Sequence, residues 1–218
     1  MAQAPAAPQT VHEEGEPLAV REGITADEYF RMPETVIPHN LIDGVLYMSP
    51  SPFWRHQEIV GDLYDAMRHV ARELGGSALI SPMDCRLPDG SVLQPDVGYI
   101  ALENLGIIHD HIVGAPDLVI EVLSRGTRRF DRTKKLAVYA RNGVREAWLV
   151  DPDSETVIVF TGDGGRWIRE QSILFGEPIP SFVLPPATYG LSPTPPAGNV
   201  ASGQLPAADQ DRADPHIS

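Results

Sequence analysis

Three side chains have the types and order to do chemistry. Gln94-Pro95-Asp96 leads into an apolar stretch, and Glu121 stands inside Asp117-Leu118-Val119-Ile120-Glu121-Val122-Leu123-Ser124. Lys135 follows, just beyond a run of arginines. Two acids and then a lysine is the inventory of a metal-dependent phosphodiesterase. Glu121 is the most informative of the three. Its neighbours Leu118, Val119, Ile120, Val122 and Leu123 read as a strand buried on both faces. An ionised carboxylate there costs several kcal/mol unless a cation, a proton or strong donors compensate it. Asp96 and Glu121 together suit Mg²⁺ or Mn²⁺, which favour hard oxygen ligands. Such an ion lowers the pKa of a bound water, and a nearby lysine can orient that water and stabilise developing charge. Each residue also has a plainer reading. Asp96 can be a turn acid after Pro95, Glu121 the partner of an arginine from 125–132, and Lys135 one end of a surface salt bridge to Asp131, four residues earlier.

The elements that must position these residues can be read from pattern. Thr25-Ala26-Asp27-Glu28 has capping-box spacing, so a short helix begins there and ends before Pro33. Asp43-Gly44 between Leu41-Ile42 and Val45-Leu46 signals a hairpin. Apolar residues from Ile59 to Leu74 recur at three- and four-residue steps, predicting a helix over 53–74 that Gly75-Gly76 ends. Strands are expected at 77–87 and 91–101, joined at Pro88-Asp89-Gly90. Pro95 marks an edge or a bulge just before Asp96. After a loop over 102–116 come the buried strand 117–124, a helix from about 131 to 141, and strands at 145–151, 155–160 and 166–173. This order predicts an α/β fold, a mixed sheet with helices on both faces.

Composition bounds the rest. Residues 1–23 and 191–218 are rich in Pro, Ala and small polar residues, and are expected to be disordered tails. Residues 24–190 then form one domain, large enough to bury about 70 % of its chain surface unaided. The formal charge is −13. The two tails carry −3 and −2, leaving −8 on the domain. Within it Arg125, Arg128, Arg129, Arg132, Lys134 and Lys135 face the single acid Asp131 over residues 125–135. Positive charge is thus concentrated where a phosphate backbone would lie, although the domain as a whole predicts weak, salt-sensitive DNA binding. A solvated helix face is the alternative reading. The lone Cys85 supports no disulfide framework and points to a reducing compartment, the cytoplasm. No apolar run is long enough to span a bilayer.

Other candidates are weaker. His56, near the start of the long helix, is placed to reach the site or a substrate, or else caps the helix. His109 and His111 lack partners at zinc spacing. Ser124 and Cys85 have no surroundings that favour a nucleophile.

With these residues in view, the chain resembles the Uma-two family of restriction-endonuclease-like proteins, a branch of the PD-(D/E)xK nuclease superfamily. The matching segments are Asn40 to Gly44, Ser49-Pro50-Ser51-Pro52 followed by His56, Gln94-Pro95-Asp96, Ala115 to Ser124, Asp131 to Tyr139, and Gly143 to Pro152. The resemblance implies a restriction-endonuclease-like core over about 24–190 and magnesium-dependent hydrolysis of DNA phosphodiesters. By the same resemblance Asp96 is the first acid and Glu121 the second. The superfamily's lysine, usually two positions after the second acid, is replaced by Leu123 and relocated to Lys135. Asn40 stands where the family commonly has glutamate, which implies weaker metal binding at that corner. Arg125, Arg128, Arg129 and Arg132 are then expected to grip phosphate, and an enzyme that cuts both strands is expected to be a homodimer. Two other classes stay open: a catalytically weak nuclease-fold module that binds DNA or protein, and a hydrolase of small phosphodiesters.

Overall fold

Thr25 opens the first helix as its composition demands. Its hydroxyl accepts the Glu28 N–H while the Glu28 carboxylate accepts the Thr25 N–H, and α1 (Ala26–Tyr29) follows. The computed structural model describes residues 16–33 and 37–193. The Asp43-Gly44 turn joins β2 (His39–Ile42) to β3 (Val45–Met48) with both turn residues at positive φ, the geometry that Asp-Gly favours. The long helix α2 (Trp54–Leu74) ends at Gly75 in the left-handed conformation.

The expected pair of strands over 77–101 splits between two sheets. Its outer parts, β4 (Ser77–Ile80) and β7 (Val97–Ile100), pair in one sheet, and its inner parts, β5 (Cys85–Arg86) and β6 (Val92–Leu93), pair in the other. Gln94-Pro95-Asp96 is where the chain crosses from one sheet to the other. Proline suits that position, because its missing N–H interrupts neither ladder.

The remaining strands are β8 (Ile112–Val113), β9 (Leu118–Val122), β10 (Glu146–Asp151), β11 (Thr156–Asp163) and β12 (Arg166–Leu174). Between β9 and β10 lies a helical segment. It runs as α3 (Arg128–Phe130), a π-helical turn (Asp131–Lys135) and α4 (Leu136–Arg141).

Two six-stranded mixed sheets result. One runs β12-β11-β10-β9-β7-β4, and the other, which begins at β1 (Leu18–Arg21), runs β1-β3-β2-β6-β5-β8. In the first, β9 lies parallel to β10 and antiparallel to β7. The alternation of β9 divides its side chains. Leu118, Ile120 and Val122 pack with α2, whereas Val119 and Leu123 pack with Phe130, Leu136 and Tyr139 of the α3–α4 segment. Every residue of β9 is buried, as its unbroken apolar run predicts. The class is α/β with helices flanking the sheet, as expected, but with a second sheet that the sequence pattern did not separate.

Two boundaries are corrected. Residues Leu18–Arg21, read as part of a disordered tail, form β1, which pairs with β3. Pairing satisfies the backbone groups of a segment whose side chains alone could not drive folding. At the other end Leu191 is buried and its carbonyl accepts the Gly176 N–H, so the packed chain passes 190. The parts of the two predicted tails over 1–15 and 194–218 lie outside the described residues.

Candidate active site

Strand register brings the two acids together. Val97 lies opposite Ile120 in the antiparallel β7–β9 pair. The residue before Val97 therefore meets the residue after Ile120, which sets Asp96 beside Glu121 on one face. A backbone bond fixes the corner: the Val122 N–H donates to Asp96 Oδ2 at 2.8 Å. His56, one turn into α2, contacts the same oxygen through Nε2 at 3.2 Å. Burial raises the Asp96 carboxyl pKa, but the His56 contact outweighs it, and the group lies below its usual range. Burial likewise lowers His56, and the bond to Asp96 lifts it above its ordinary value.

Glu121 has odd parity on β9 and so points toward the α3–α4 segment. Lys135 donates to Glu121 Oε2 at 2.7 Å and lies 3.4 Å from Asp131 Oδ1. The Tyr139 hydroxyl donates to Glu121 Oε1 at 2.5 Å. Asp131, Lys135 and Tyr139 are spaced four residues apart, so a helical segment sets them in one stripe facing the strand. Lys135 is therefore no surface residue, and the partner of Glu121 is this lysine rather than an arginine. Burial pushes the Glu121 carboxyl up to about 8 despite Lys135, with Asp96 and Asp131 adding to the rise. Asp131 is raised for the same reasons. Lys135 is raised by its acids despite burial, so it is protonated at neutral pH.

Asp96, Glu121, Asp131, Lys135, His56 and Asn40 all line one cleft of about 260 Å³. Gly126 helps to close its rim against Pro50, since a Cβ there would lie 2.8 Å from the proline ring. Asn40 is buried, and its Oδ1 accepts the Gln94 N–H at 3.0 Å. The position where the resemblance expects glutamate is thus at the site, with a neutral side chain that braces the Gln94 backbone.

The arginines divide. Arg128, expected to grip phosphate, instead holds Asp151 with two bonds of 2.5 and 3.0 Å and Asp153 with a third of 2.7 Å. Its planar fork matches a carboxylate already present in the fold, so it is corrected to a structural clamp. Arg129 lies 3.5 Å from Glu16, which Lys134 also binds. Arg125 and Arg132 are exposed and remain available to a ligand.

A divalent cation is tested by the donors present. Among the described residues no three His, Cys, Asp or Glu side chains form a ready metal cage. Mg²⁺ seldom needs one, because it is commonly held by one or two carboxylates plus waters and substrate phosphate. Three observations favour a cation. The carboxylates of Asp96, Glu121 and Asp131 outnumber the one lysine, and burial first, then neighbouring carboxylates, hold Glu121 and Asp131 above their usual range. Gln94 Nε2 donates to Asp84 Oδ1, which leaves Gln94 Oε1 as a buried oxygen with no donor among the described residues. The cleft is lined by hard oxygen atoms, the ligand type such ions prefer.

Three participants were missed in the sequence: Asp131, read only as a surface salt-bridge partner, Tyr139, and the orphan oxygen of Gln94. The Asp131, Lys135, Tyr139 spacing was the available signal for the first and the second. No sequence signal marks the oxygen of Gln94.

Comparison with known proteins bears on the family and the fold. No curated protein matches the chain. A solved structure described as a putative nuclease belonging to DUF820, from Anabaena variabilis, superposes with a TM-score of 0.63 at 21% identity. The match covers 77% of this chain and 91% of that one, and it shows the shared fold. Residues 26–192 match the family Uma2, described as "Putative restriction endonuclease". That span covers the cleft and every strand after β1, and the chain belongs to the Uma2 family.

Proposed function

We propose that the chain is a cytoplasmic, metal-dependent endonuclease that hydrolyses DNA phosphodiesters in the cleft holding Asp96, Glu121 and Lys135. The observation that carries this reading is the Lys135 ammonium, buried at 2.7 Å from Glu121 in the cleft that also holds Asp96. Asp96 and Glu121 are the carboxylates that would hold Mg²⁺ or Mn²⁺, with Gln94 Oε1 as a neutral oxygen nearby. When bound, the ion supplies Lewis-acid polarisation and a more acidic water.

The chain's own residues do the rest. Lys135 stays protonated and so serves as a fixed positive charge rather than as a base. Two of its three N–H donors face Glu121 and Asp131, and the third is left for a phosphoryl oxygen or the attacking water. Tyr139 pins the other oxygen of Glu121, so the carboxylate cannot rotate away. His56 and the Val122 N–H hold Asp96 Oδ2, which directs Oδ1 to a ligand. Arg125 and Arg132 lie exposed on the segment that follows β9, where flanking phosphates would pass.

Incubating the full chain with plasmid and single-stranded DNA in Mg²⁺ or Mn²⁺ tests the reading. Cleavage is expected, absent in chelator and in Asp96→Ala, and reduced about 100- to 1,000-fold in Lys135→Ala. A chain that cuts no polynucleotide with either ion, and behaves as its Glu121→Ala variant does, overturns the reading. Asn40 favours a second reading, a weakly active module that still binds DNA. In that case Asn40→Glu raises metal affinity and cleavage together.

A further inference from the structure

Two exposed aromatic side chains adjoin residues of the cleft in the chain. Phe53 is 72% exposed and Trp54 77%, the most exposed large apolar side chains among the described residues. They stand at the start of α2, directly after Pro50, Ser51 and Pro52, which line the cleft. His56, Gln57 and Val60 of the first turns of α2 line the cleft as well. Phe53 is the extended residue that caps α2, so Phe53 and Trp54 stand in the chain between the lining residues Pro52 and His56. Trp54 lies three residues before Gln57, on the same side of the helix.

Phe182, another exposed aromatic residue, lies under the Arg145 guanidinium at 5.4 Å and lines a different cavity. Phe53 and Trp54 have no such cover among the described residues. Leaving two large aromatic rings in water is unfavourable, and a substrate surface that covers them recovers that loss.

We propose that Phe53 and Trp54 form a stacking platform for an unpaired base beside the scissile phosphate, so that the preferred substrate is single-stranded DNA. This inference rests on the nuclease reading of the cleft. Three features of the site select that occupant. Stacking on a ring draws on the apolar face that every base has, and it needs no basic surface. That matters on a chain of net charge −13, which disfavours the dense phosphate array of a duplex more than the sparser one of a single strand. A cleft of about 260 Å³ lies below the usual range of ligand pockets, roughly 300–1,000 Å³. It takes one phosphate and sugar from one strand. A base adjoining that phosphate then falls on the rim, and it can reach a ring only when it is unpaired.

Binding of the full chain to a labelled mixed-sequence single strand and to its blunt duplex, in chelator, tests this without relying on cleavage. The single strand is expected to bind more tightly. Trp54→Ala and Phe53→Ala should each weaken it by about tenfold. Trp54→Tyr should restore most of the loss, because it keeps an aromatic face, and Trp54→Leu should not. Both residues are exposed, and an unchanged thermal midpoint shows that the fold is intact. Equal binding of single strand and duplex, unaltered by these variants, overturns the proposal. So does a variant that changes only self-association in sedimentation, since the face is then a contact between copies. Metal-dependent duplex cleavage that Trp54→Ala leaves unchanged overturns the platform alone, whereas no cleavage of any polynucleotide overturns the nuclease reading.

Discussion

Two charged clusters flank the same helical segment and titrate in opposite directions. In the cleft, Glu121 is driven up to about 8 and Asp131 is raised as well. On the far side, burial pushes Asp151 up, but the two-pronged grip of Arg128 outweighs it and leaves the carboxyl below its usual range. Both clusters are short-range ion pairs, so distance does not separate them. Burial and geometry do. Arg128 meets Asp151 with a planar fork, and its second acid, Asp153, is exposed so that water screens its charge. Glu121 and Asp131 are both buried and share the single ammonium of Lys135, so burial holds both carboxyls above their usual range despite it. A satisfied cluster holds the fold together; an under-compensated one has room for a cation. The comparison also explains why arginine count alone misreads the cationic stretch. Arg128 belongs to the satisfied cluster, although it stands in the same run as residues that face solvent.

Several measurements can break this contrast or sharpen it. The largest effect is expected from Lys135→Met, which leaves Glu121 and Asp131 buried without their counter-charge. Urea unfolding near pH 9, above the Glu121 value of about 8, should show a loss of about 3–5 kcal/mol. A loss below about 1 kcal/mol would mean that the cleft acids are already protonated and that surplus charge is absent.

Next in size is the response to a cation. Thermal unfolding of the metal-free chain should shift upward with Mn²⁺ or Mg²⁺, by about 2.7 kcal/mol of added stability at a hundredfold excess over Kd. The shift should vanish in Asp96→Asn and persist in Arg128→Met. A shift retained in Asp96→Asn moves the ion out of the cleft.

Arg128→Met is expected to remove about 2 kcal/mol, since it strands a largely buried Asp151 beside an exposed Asp153. The smallest effect lies in its pH dependence. A carboxyl depressed in the folded chain stabilises the fold above its unfolded value of 3.8. That contribution fades as pH falls through the lower folded value. The stability gap between the wild-type chain and Arg128→Met should therefore be steady near neutrality and narrow in acid unfolding below about pH 4. A gap that does not change with pH assigns the Arg128 contribution to packing of its methylenes instead.

The order of these residues and the identity of the elements were legible before any coordinates. An acid inside an unbroken apolar run, a capping box at Thr25, an Asp-Gly hairpin and helical periodicity from Ile59 onward are local signals. Local chain physics answers to them. The α/β class followed, as did the choice of Asp96 and Glu121 as candidates, because both rest on pattern and residue type alone. Three matters required the tertiary structure. Register decided that Asp96 faces Glu121, since pairing of β7 with β9 joins segments separated by a loop. The stripe of Asp131, Lys135 and Tyr139 meets Glu121 only because the α3–α4 segment packs on the odd-numbered face of β9, and a helix alone cannot say which strand residue it will cover. The division of the arginines between clamp and rim was equally hidden, for Asp151 and Asp153 lie on and just past a different strand. Sequence determined which side chains carry charge and which elements bear them. Packing decided which charges cancel, because compensation depends on distances between elements that the chain brings together only when it folds.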